Sequence, residues 1–214
     1  MGIRERFKPS SFTDYCLAVF TFLLVVVAIK QIVITHHQLG VMQIEQRAWI
    51  EVRPQGSRDN PELSVFKVEL IEGQPIVFPL KIFNTGKTPA KNFDLVVFVE
   101  VANNLRPPHL ECVDGSNSCP EGYWGFTGGI VPPNPDIDFP ASRIGKSGEV
   151  WVASKAEVDA WNNGKSYIAA YGIVKYTDVF NVSHWTRFCF HAENLIGQAT
   201  LTSSCAQHNS EDDN

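Results

Sequence analysis

The sequence has few basic residues: 18 Lys and Arg against 23 Asp and Glu among 214 residues give a formal net charge of −5. A general nucleic-acid binder needs a basic face to neutralise the phosphates. The chain therefore offers no sign of a nucleic-acid partner. Its 13 Pro and 15 Gly follow no repeating period, which excludes a collagen triple helix and a long coiled coil.

The sequence also lacks the short motifs of common enzyme classes. It contains no G-x-S-x-G nucleophile turn, no G-x-x-x-x-G-K-[ST] phosphate loop and no dinucleotide-binding glycine fingerprint. Ser183 and His184 are adjacent, so on a strand they point to opposite faces and form no catalytic dyad. His184 and His191 also fall on opposite faces. We therefore expect no catalytic residue, no cofactor and no bound metal.

One long apolar run is present near the N-terminus. Residues 15–35 are YCLAVFTFLLVVVAIKQIVIT, with Lys30 near one end. At about 1.5 Å per residue, a helix of this length is roughly 31 Å long, close to the hydrocarbon thickness of a bilayer. A buried core helix is the alternative, but residues 16–29 lack the polar stripe of a soluble helix. The sequence predicts a transmembrane helix at 15–35, with the lipid bilayer as its partner.

The flanks of this run predict its orientation. A cleaved signal peptide ends in an A-x-A-like site, whereas residues 28–32 continue the run as AIKQI. We therefore expect an uncleaved signal anchor. By the positive-inside rule, residues 1–14 lie in the cytoplasm and the C-terminal part is periplasmic or extracellular, on an inner (cell) membrane. The Lys and Arg residues near the ends, apart from Lys30 at the border, are Arg4, Arg6 and Lys8 before the run and Arg47 after it.

The five cysteines also bear on the compartment. Cys16 lies inside the apolar run, and the other four lie in the soluble part. An even number of cysteines in an exported domain suggests disulfides. Three pairings of the four are possible, and we favour the two local ones, Cys112–Cys119 and Cys189–Cys205.

A second interpretation of the cysteines involves His109, Cys112 and Cys119. Imidazole and thiolate are ligands that zinc prefers, and a thiol of lowered pKa would suit an enzyme. The spacing matches no recognised pair of chelating knuckles, and two prolines precede it. Stable disulfides would exclude the thiol version.

Beyond residue 47 the chain consists of short apolar segments separated by turn residues. The segment 183–190 alternates so that Thr186, Phe188 and Phe190 face the predicted core, opposite Trp185 and Cys189. Residues 102–146 hold seven of the 13 prolines and are predicted to form a long irregular loop. Strands are predicted at 48–52, 64–71, 75–83, 92–101, 148–154, 167–178, 183–190 and 198–202.

One short helix is predicted after Ser154. Ser154 and Glu157 have the S-x-x-E form of a capping box, and Gly164 follows at the predicted end. The predicted fold is mainly β: an N-terminal transmembrane α-helix followed by an immunoglobulin-like β-sandwich with one short helix. The predicted divisions are residues 1–14 (cytoplasmic), 15–35 (transmembrane), 36–47 (stalk), 48–205 (sandwich) and 206–214 (disordered acidic tail).

Two turn motifs are more specific than the general strand pattern. The first is N-T-G-K-T-P-A at 84–90, in which Asn84 bonds its own backbone, Gly86 allows a positive φ and Pro89 interrupts the ladder. The second is YTDVFNVSHWTRFC at 176–189, where Asp178 and Asn181 suit a tight turn.

On these two motifs the chain resembles a group of uncharacterised bacterial membrane proteins. Those proteins have an N-terminal anchor, an N-x-G-x-x-P-A turn and a later Y-x-D-x-F-x-x-x-H-x-T-x-F-C stretch. Many of them have Gly where this chain has Asn181, and Asn is the next best residue for a left-handed conformation. The resemblance implies a sandwich that faces the envelope, and it implies no activity.

The sequence therefore favours a membrane-anchored, non-enzymatic binding or assembly module of the bacterial envelope, whose partner is another envelope protein. Exposed sheet edges and residues 102–146 are the expected contact surfaces. The alternative is an envelope enzyme, a hydrolase or a thiol- or metal-dependent protein, that uses the loop with His109, Cys112 and Cys119. Aromatic residues form a further candidate ligand surface or ordinary core: Trp124, Trp151, Trp161 and Trp185 with Tyr123 and Phe126.

Overall fold

The structure is a computed structural model that describes residues 12–55, 68–104, 106–114, 122–145, 147–194, 201–206 and 209–212. The chain divides into two compact units, with the boundary between Glu45 and Gln46. Each unit is described by itself.

The first unit contains the helix α1 (Phe12–Gln46), which has 35 residues and is longer than the predicted span. The helix continues through most of the predicted stalk. Its segment Asp14–Gln46 has a mean hydropathy of 2.6 in its most apolar window, and none of that window is buried. This exposure contradicts the alternative of a buried core helix. At about 1.5 Å per residue the segment is roughly 50 Å long, so it is long and apolar enough to cross a membrane.

The second unit is a sandwich of two antiparallel sheets. The three-stranded sheet has the order β1-β2-β6, and the larger sheet has the order β10-β8-β7-β3-β4, with β5 paired to β3 and β9 to β8. The strands are β1 (Ile50–Pro54), β2 (Val77–Asn84), β3 (Ala90–Asn103), β4 (Trp124–Thr127), β5 (Ile130–Val131), β6 (Asp136–Ser142), β7 (Ser166–Thr177), β8 (Ser183–Glu193), β9 (Leu201–Ser204) and β10 (Ser210–Glu211).

Alternating side chains from both sheets form the core. Every second residue of β2 is buried, from Phe78 to Asn84, because successive side chains of a strand point to opposite faces. The inward face of β8 includes Phe188 and Phe190, which confirms the predicted core face. Strands β3 and β7 of the larger sheet also contribute inward residues to this cluster: Phe93, Leu95, Val97, Val99, Ile168, Ala170 and Val174.

Several strand predictions need correction. The stretch 102–146 is not an irregular loop throughout, because it contains β4, β5 and β6 and a short 3-10 helix, Leu110–Asp114. The expected strand at 148–154 is reduced to isolated bridges. Residues 68–71 form no strand although Val68 and Leu70 are buried, and residues 64–67 lie outside the described residues. Strands β4 and β5 pair with β3, and β6 pairs with β2, so these strands depend on long-range pairing rather than on local alternation.

The short helix agrees with the prediction. Helix α2 (Lys155–Asn162) begins after Ser154, and both hydrogen bonds of the capping box are present. Arg143 forms an ion pair with Glu157, the second member of the box. Burial opposes ionisation of Glu157, but hydrogen bonds from Ser154 and Arg143 outweigh it and lower the pKa of that carboxyl.

The structure contains the predicted disulfide Cys189–Cys205, with the two Cα atoms 5.3 Å apart. Cys112 is buried and is also disulfide-bonded. Its predicted partner, Cys119, lies outside the described residues. Cys16 is a free, exposed thiol on α1.

The C-terminal segment contradicts the prediction of a disordered tail. Strand β10 pairs with β8 at Arg187 and Thr186, and Asp212 is only 6% exposed. The acidic composition suggested a solvated end, but one of its carboxylates has a buried partner.

Candidate functional site

The two turn motifs of the sequence meet at one end of the sandwich. Strand β1 begins at Ile50, opposite Asn84 at the end of β2. Strand β3 begins beside β5 and beside Thr177, where β7 ends. The loops 85–89 and 178–182, and the segment 128–135 that contains β5, therefore lie at the end where the chain enters the domain. We call it the entry end.

Asn84 connects three segments at the entry end. Its Oδ1 accepts hydrogen bonds from the backbone N–H of Trp49 (3.2 Å) and Gly86 (3.0 Å). Its Nδ2 donates to the carbonyls of Thr88 (2.8 Å) and Val131 (3.1 Å). The buried amide thus uses its hydrogen-bonding capacity fully, which explains why this turn needs Asn.

Gly86 is required for a different reason from the one predicted. A Cβ atom at this position would lie 2.3 Å from the carbonyl oxygen of Arg47 and 2.5 Å from the backbone nitrogen of Trp49. The glycine therefore permits close approach of two backbone segments. Pro89 lies immediately before β3. This position fits the prediction, because proline has no N–H group to donate to the hydrogen-bond ladder.

The turn between β7 and β8 is built around Asp178. Its Oδ1 accepts hydrogen bonds from the backbone N–H of Phe180 (2.8 Å) and Val182 (2.9 Å). Asn181 has φ +64°, the left-handed conformation that its side chain tolerates. Asp178 and Asn181 therefore form the tight turn that the sequence predicted.

The second oxygen of Asp178 contacts a buried histidine. Nε2 of His184 lies 3.0 Å from Oδ2 of Asp178, and Nδ1 lies 2.6 Å from Oδ2 of Asp212. Only an imidazolium donates from both ring nitrogens at once. Burial opposes ionisation of Asp178, but hydrogen bonds from His184 and from the turn outweigh it and hold the pKa of that carboxyl below its ordinary value.

Arg47 completes this group, which we call the buried ion network: Arg47, Asp178, His184 and Asp212. Its Nη2 donates to the carbonyl of Asp212 at 3.1 Å, and its Nη1 lies 3.9 Å from Oδ2 of that residue. The guanidinium stacks on Trp49, 3.5 Å from the ring centroid. Arg47 thus places a permanent positive charge beside the carboxylate of Asp212, and a buried charge requires such a partner.

Tyr176 packs against this network. Its ring centroid is 5.4 Å from that of His184, and its hydroxyl donates to the carbonyl of Ala48 at 3.2 Å. Burial raises the pKa of Tyr176 to about 12, and the nearby Asp212 carboxylate adds to this effect. The phenol is therefore a neutral structural donor at physiological pH.

Sequence reasoning missed the network. Asp212 belongs to the predicted disordered tail, and the sequence suggests for His184 only the question of a catalytic base. One signal was available, because His184 has the same parity on β8 as Phe188 and Phe190, so it had to face the core. The separate expectation for His191 is correct, since it lies on the opposite face and contacts Ser203.

The alternative site around His109 has a different structure from the one predicted. Nδ1 of His109 lies 2.9 Å from a buried carboxylate oxygen of Glu100, and the backbone N–H of His109 donates to the other oxygen at 3.2 Å. The hydroxyl of Tyr171 lies 3.4 Å from the same carboxylate. Cys112 is in a disulfide and offers no thiol. Within the described ranges, no group of three or more His, Cys, Asp or Glu side chains is placed to hold a metal ion.

A cleft of about 730 Å³ lies on the outer face of the larger sheet, near the entry end. In cross-strand register, Lys175 lies between Asp94 and Trp185. Arg187, also in the cleft, places its guanidinium 5.2 Å from the centroid of the Trp185 ring. Asp94 accepts a hydrogen bond from Thr127 at 2.9 Å. The outer cleft thus combines one aromatic ring, two cations and one carboxylate on rigid strands.

The aromatic residues of the sequence do not assemble into one surface. Trp161 is buried in the core. Trp124 packs against Phe139, and Trp151 lies beside Arg143. Trp185 is the member of this set that lines the outer cleft.

Comparisons with protein-family models, with curated proteins and with solved structures find no match for this chain.

Proposed function

We propose that this protein is a single-pass membrane protein of a bacterial envelope. Helix α1 is its anchor, the N-terminus is cytoplasmic, and the sandwich is a non-enzymatic binding or assembly module outside the inner (cell) membrane. The exposed apolar helix supports the anchor. The disulfides support an oxidising compartment for the domain.

The outer cleft carries the proposal of a binding role. Lys175, Trp185 and Arg187 lie on hydrogen-bonded strands that position them firmly. Tryptophan and arginine are the side chains most enriched among residues that dominate protein interfaces. We propose that another envelope protein binds here through a segment that offers a carboxylate to Lys175 and Arg187.

The chemistry of the other polar groups favours binding over catalysis. Both ring nitrogens of His184 are within hydrogen-bond distance of carboxylates, and its side chain is 1% exposed. Such a ring has no nitrogen free to accept a proton from a substrate. Cys112 is disulfide-bonded, so it offers no free thiol to the enzymatic alternative.

The first experiment tests the anchor and its topology. Intact cells that produce the full-length protein are treated with a maleimide that cannot cross the inner membrane, with and without reductant. We expect labelling of the soluble-domain cysteines only after reduction, and a Cys16→Ser variant serves as the control for the span. Labelling without reduction, and only after lysis, would place the domain in the cytoplasm and contradict the proposal.

The second experiment tests the outer cleft. A photo-crosslinking amino acid replaces Lys175 in the full-length protein, and Lys155, an exposed lysine on α2, is the matched control position. We expect one defined adduct from position 175 that Trp185→Ala weakens and that position 155 does not give. Equal adducts from both positions, or insensitivity to Trp185→Ala, would exclude the cleft as the binding site.

A further inference from the structure

A second cleft lies between the two sheets of the sandwich, on the side where β1 is the last strand of the smaller sheet. The hydroxyl of Thr186 on β8 donates to the carbonyl of Ile50 at 2.9 Å, which places β1 opposite β8. The larger sheet continues past β8 with β9 and β10. In the part of the chain that the structure describes, the smaller sheet has no strand opposite these two. The space has a volume of about 720 Å³, and we call it the edge cleft.

The free edge of β1 directs backbone groups of Val52 into the edge cleft. Alternate residues of an antiparallel strand direct their N–H and C=O groups to opposite edges. Gln55 donates to Pro79 of β2 at 3.0 Å, whereas the carbonyl of Ile50 accepts from Thr186 of β8. Val52 has the parity of Ile50, so its N–H and C=O point away from β2.

These groups of Val52 are buried and lack a partner among the described residues. Val52 is 5% exposed and lines the edge cleft. None of the hydrogen bonds in the described ranges involves its N–H or its C=O. A buried backbone donor and acceptor require hydrogen-bonding partners. A strand placed beside β1 would supply both.

The floor of the edge cleft is apolar. It contains Phe188 and Phe190, which lie on the inward face of β8 with their ring centroids 6.1 Å apart. The side chain of Val52 also faces the core. Directly opposite residues of paired strands have their side chains on the same face. The residue that pairs with Val52 would therefore place its side chain on the two phenylalanine rings, so an apolar side chain fits there.

The charges that line the edge cleft are balanced in sign. Arg53 and Arg187 are the cations, and Glu51 and Glu211 are the carboxylates among its lining residues. Arg53 donates to both carboxylate oxygens of Glu51, at 2.5 and 2.6 Å. The exposed residues that β9 and β10 add to the lining include Ser203, Ser204 and Ser210. Such a lining favours uncharged polar side chains over a polyanion or an anionic lipid headgroup.

We propose that the edge cleft binds an extended segment of a partner protein, in which apolar and uncharged polar residues alternate, as an added strand of the smaller sheet. Backbone hydrogen bonds to Val52 provide affinity, and the floor selects the apolar positions. Pro54 has the same parity as Val52 but no N–H, so the ladder ends there and the bound segment is short. This site goes beyond the proposed function and does not depend on the outer cleft, although Arg187 lines both.

The test uses the full-length protein in detergent and a fluorescent peptide of alternating valine and threonine with a lysine at each end. Fluorescence anisotropy measures the Kd. A second peptide has the same sequence but is N-methylated on its amides, so it has no backbone donors. Hydrogen exchange, resolved by fragmentation mass spectrometry, reports on the Val52 amide with and without the first peptide.

Val52→Pro removes the N–H that points into the cleft without removing a hydrogen bond to β2. Val52→Ala is the matched control, because it shortens the same side chain and keeps the N–H. We expect Val52→Pro to bind the peptide about fivefold more weakly than Val52→Ala, the effect of one hydrogen bond. The parent protein should bind the N-methylated peptide more weakly by at least about the same factor. This comparison remains decisive if Val52→Pro does not fold.

Exchange at the Val52 amide should be fast in the free protein and should slow in proportion to the occupied fraction. A Kd above about 1 mM, or equal binding of the two peptides, overturns the inference. An amide that is already protected without peptide also overturns it: protection at all protein concentrations indicates a segment of this chain in the cleft, and protection that rises with concentration indicates a second copy.

Trp185→Ala separates the inference from the proposed function. Trp185 lines the outer cleft, whereas Val52 lines the edge cleft. Peptide binding that is lost in Trp185→Ala and kept in Val52→Pro would place the peptide in the outer cleft, which overturns the inference and leaves the proposed function in place. Peptide binding that depends on Val52, combined with no specific adduct from position 175, would overturn only the role of the outer cleft.

Discussion

Nδ1 of His184 lies 2.6 Å from Oδ2 of Asp212, and this contact joins a residue on β8 to one that directly follows β10, 28 positions further along the sequence. Asp212 also accepts a hydrogen bond through Oδ1 from the backbone N–H of Trp185 at 3.1 Å. Its carboxylate therefore holds the C-terminal segment against β8, and Arg47 connects it to the point where the domain begins. The buried ion network thus connects the C-terminal segment, β8 and Arg47 at the entry end.

Asp212→Asn is expected to destabilise the domain. The substitution removes the carboxylate that partners the buried guanidinium of Arg47 and a ring nitrogen of His184, which costs about 3 kcal/mol. Urea unfolding of the full-length protein in detergent, followed by tryptophan fluorescence, measures the change. The control is Glu211→Gln, an exposed neighbour, which should stay within about 0.5 kcal/mol of the parent. Equal effects of the two substitutions would show that the network contributes nothing to stability.

The lowered pKa of Asp178 predicts how the free energy of unfolding depends on pH. Its folded-state pKa lies below the ordinary value, so the folded state favours the carboxylate. The resulting stabilisation is present above the ordinary carboxyl pKa of about 3.9 and is lost as the pH falls through the lower folded value.

The free energies of unfolding of the parent and of Asp178→Asn should therefore converge as the solution is acidified below about pH 4. Asp159→Asn, at an exposed position of α2, provides the matched control, with a difference from the parent that is small at all pH values. A constant gap between the parent and Asp178→Asn across this range would contradict the linkage.

Gly86→Ala should lower the free energy of unfolding of the domain by disturbing the entry end. The new Cβ would overlap backbone atoms of Arg47 and Trp49, and neither can move aside as a flexible side chain would. We expect a loss of about 1–3 kcal/mol, the usual cost of overpacking. Lys87→Ala changes an exposed residue of the same turn and should be nearly neutral in the same thermal or urea unfolding assay. A neutral Gly86→Ala variant would mean that residues 47–49 are not held against this turn.

The disulfide Cys189–Cys205 should contribute to stability through the loop that it closes. The two residues are 16 positions apart, and a loop of this length corresponds to about 3 kcal/mol in the chain-entropy model. The double variant Cys189→Ser/Cys205→Ser should lose about this amount in urea unfolding. Cys16→Ser, which removes the free thiol on α1, should leave the stability of the domain unchanged. A double variant as stable as the parent would show that the bridge does not constrain the chain.

The best sequence predictions concern features that depend on neighbouring residues. The helix α2 begins at its predicted capping box because Ser154 and Glu157 satisfy free backbone N–H groups within one turn. Asp178 and Asn181 form the predicted turn because their side chains act on the backbone next to them. The Phe188 face of β8 follows from strict alternation.

The less successful predictions concern segments whose structure depends on a distant partner. Strand β6 pairs along its whole length with β2, yet its prolines and aspartates gave no strand signal. The tail around Asp212 was expected to be solvated because its composition is acidic. Composition cannot show that a particular carboxylate meets Arg47 and His184 in the core.

The sequence by itself determined the apolar helix, the alternating strands, the capped helix α2 and the residue types of the two turns, because each depends on interactions within a few residues. Only the tertiary structure decided that the two turns meet at the entry end, that Asn84 and Gly86 hold residues 47–49, and that His184 lies between Asp178 and Asp212. The physical reason is that a buried polar group must find its partner through long-range packing.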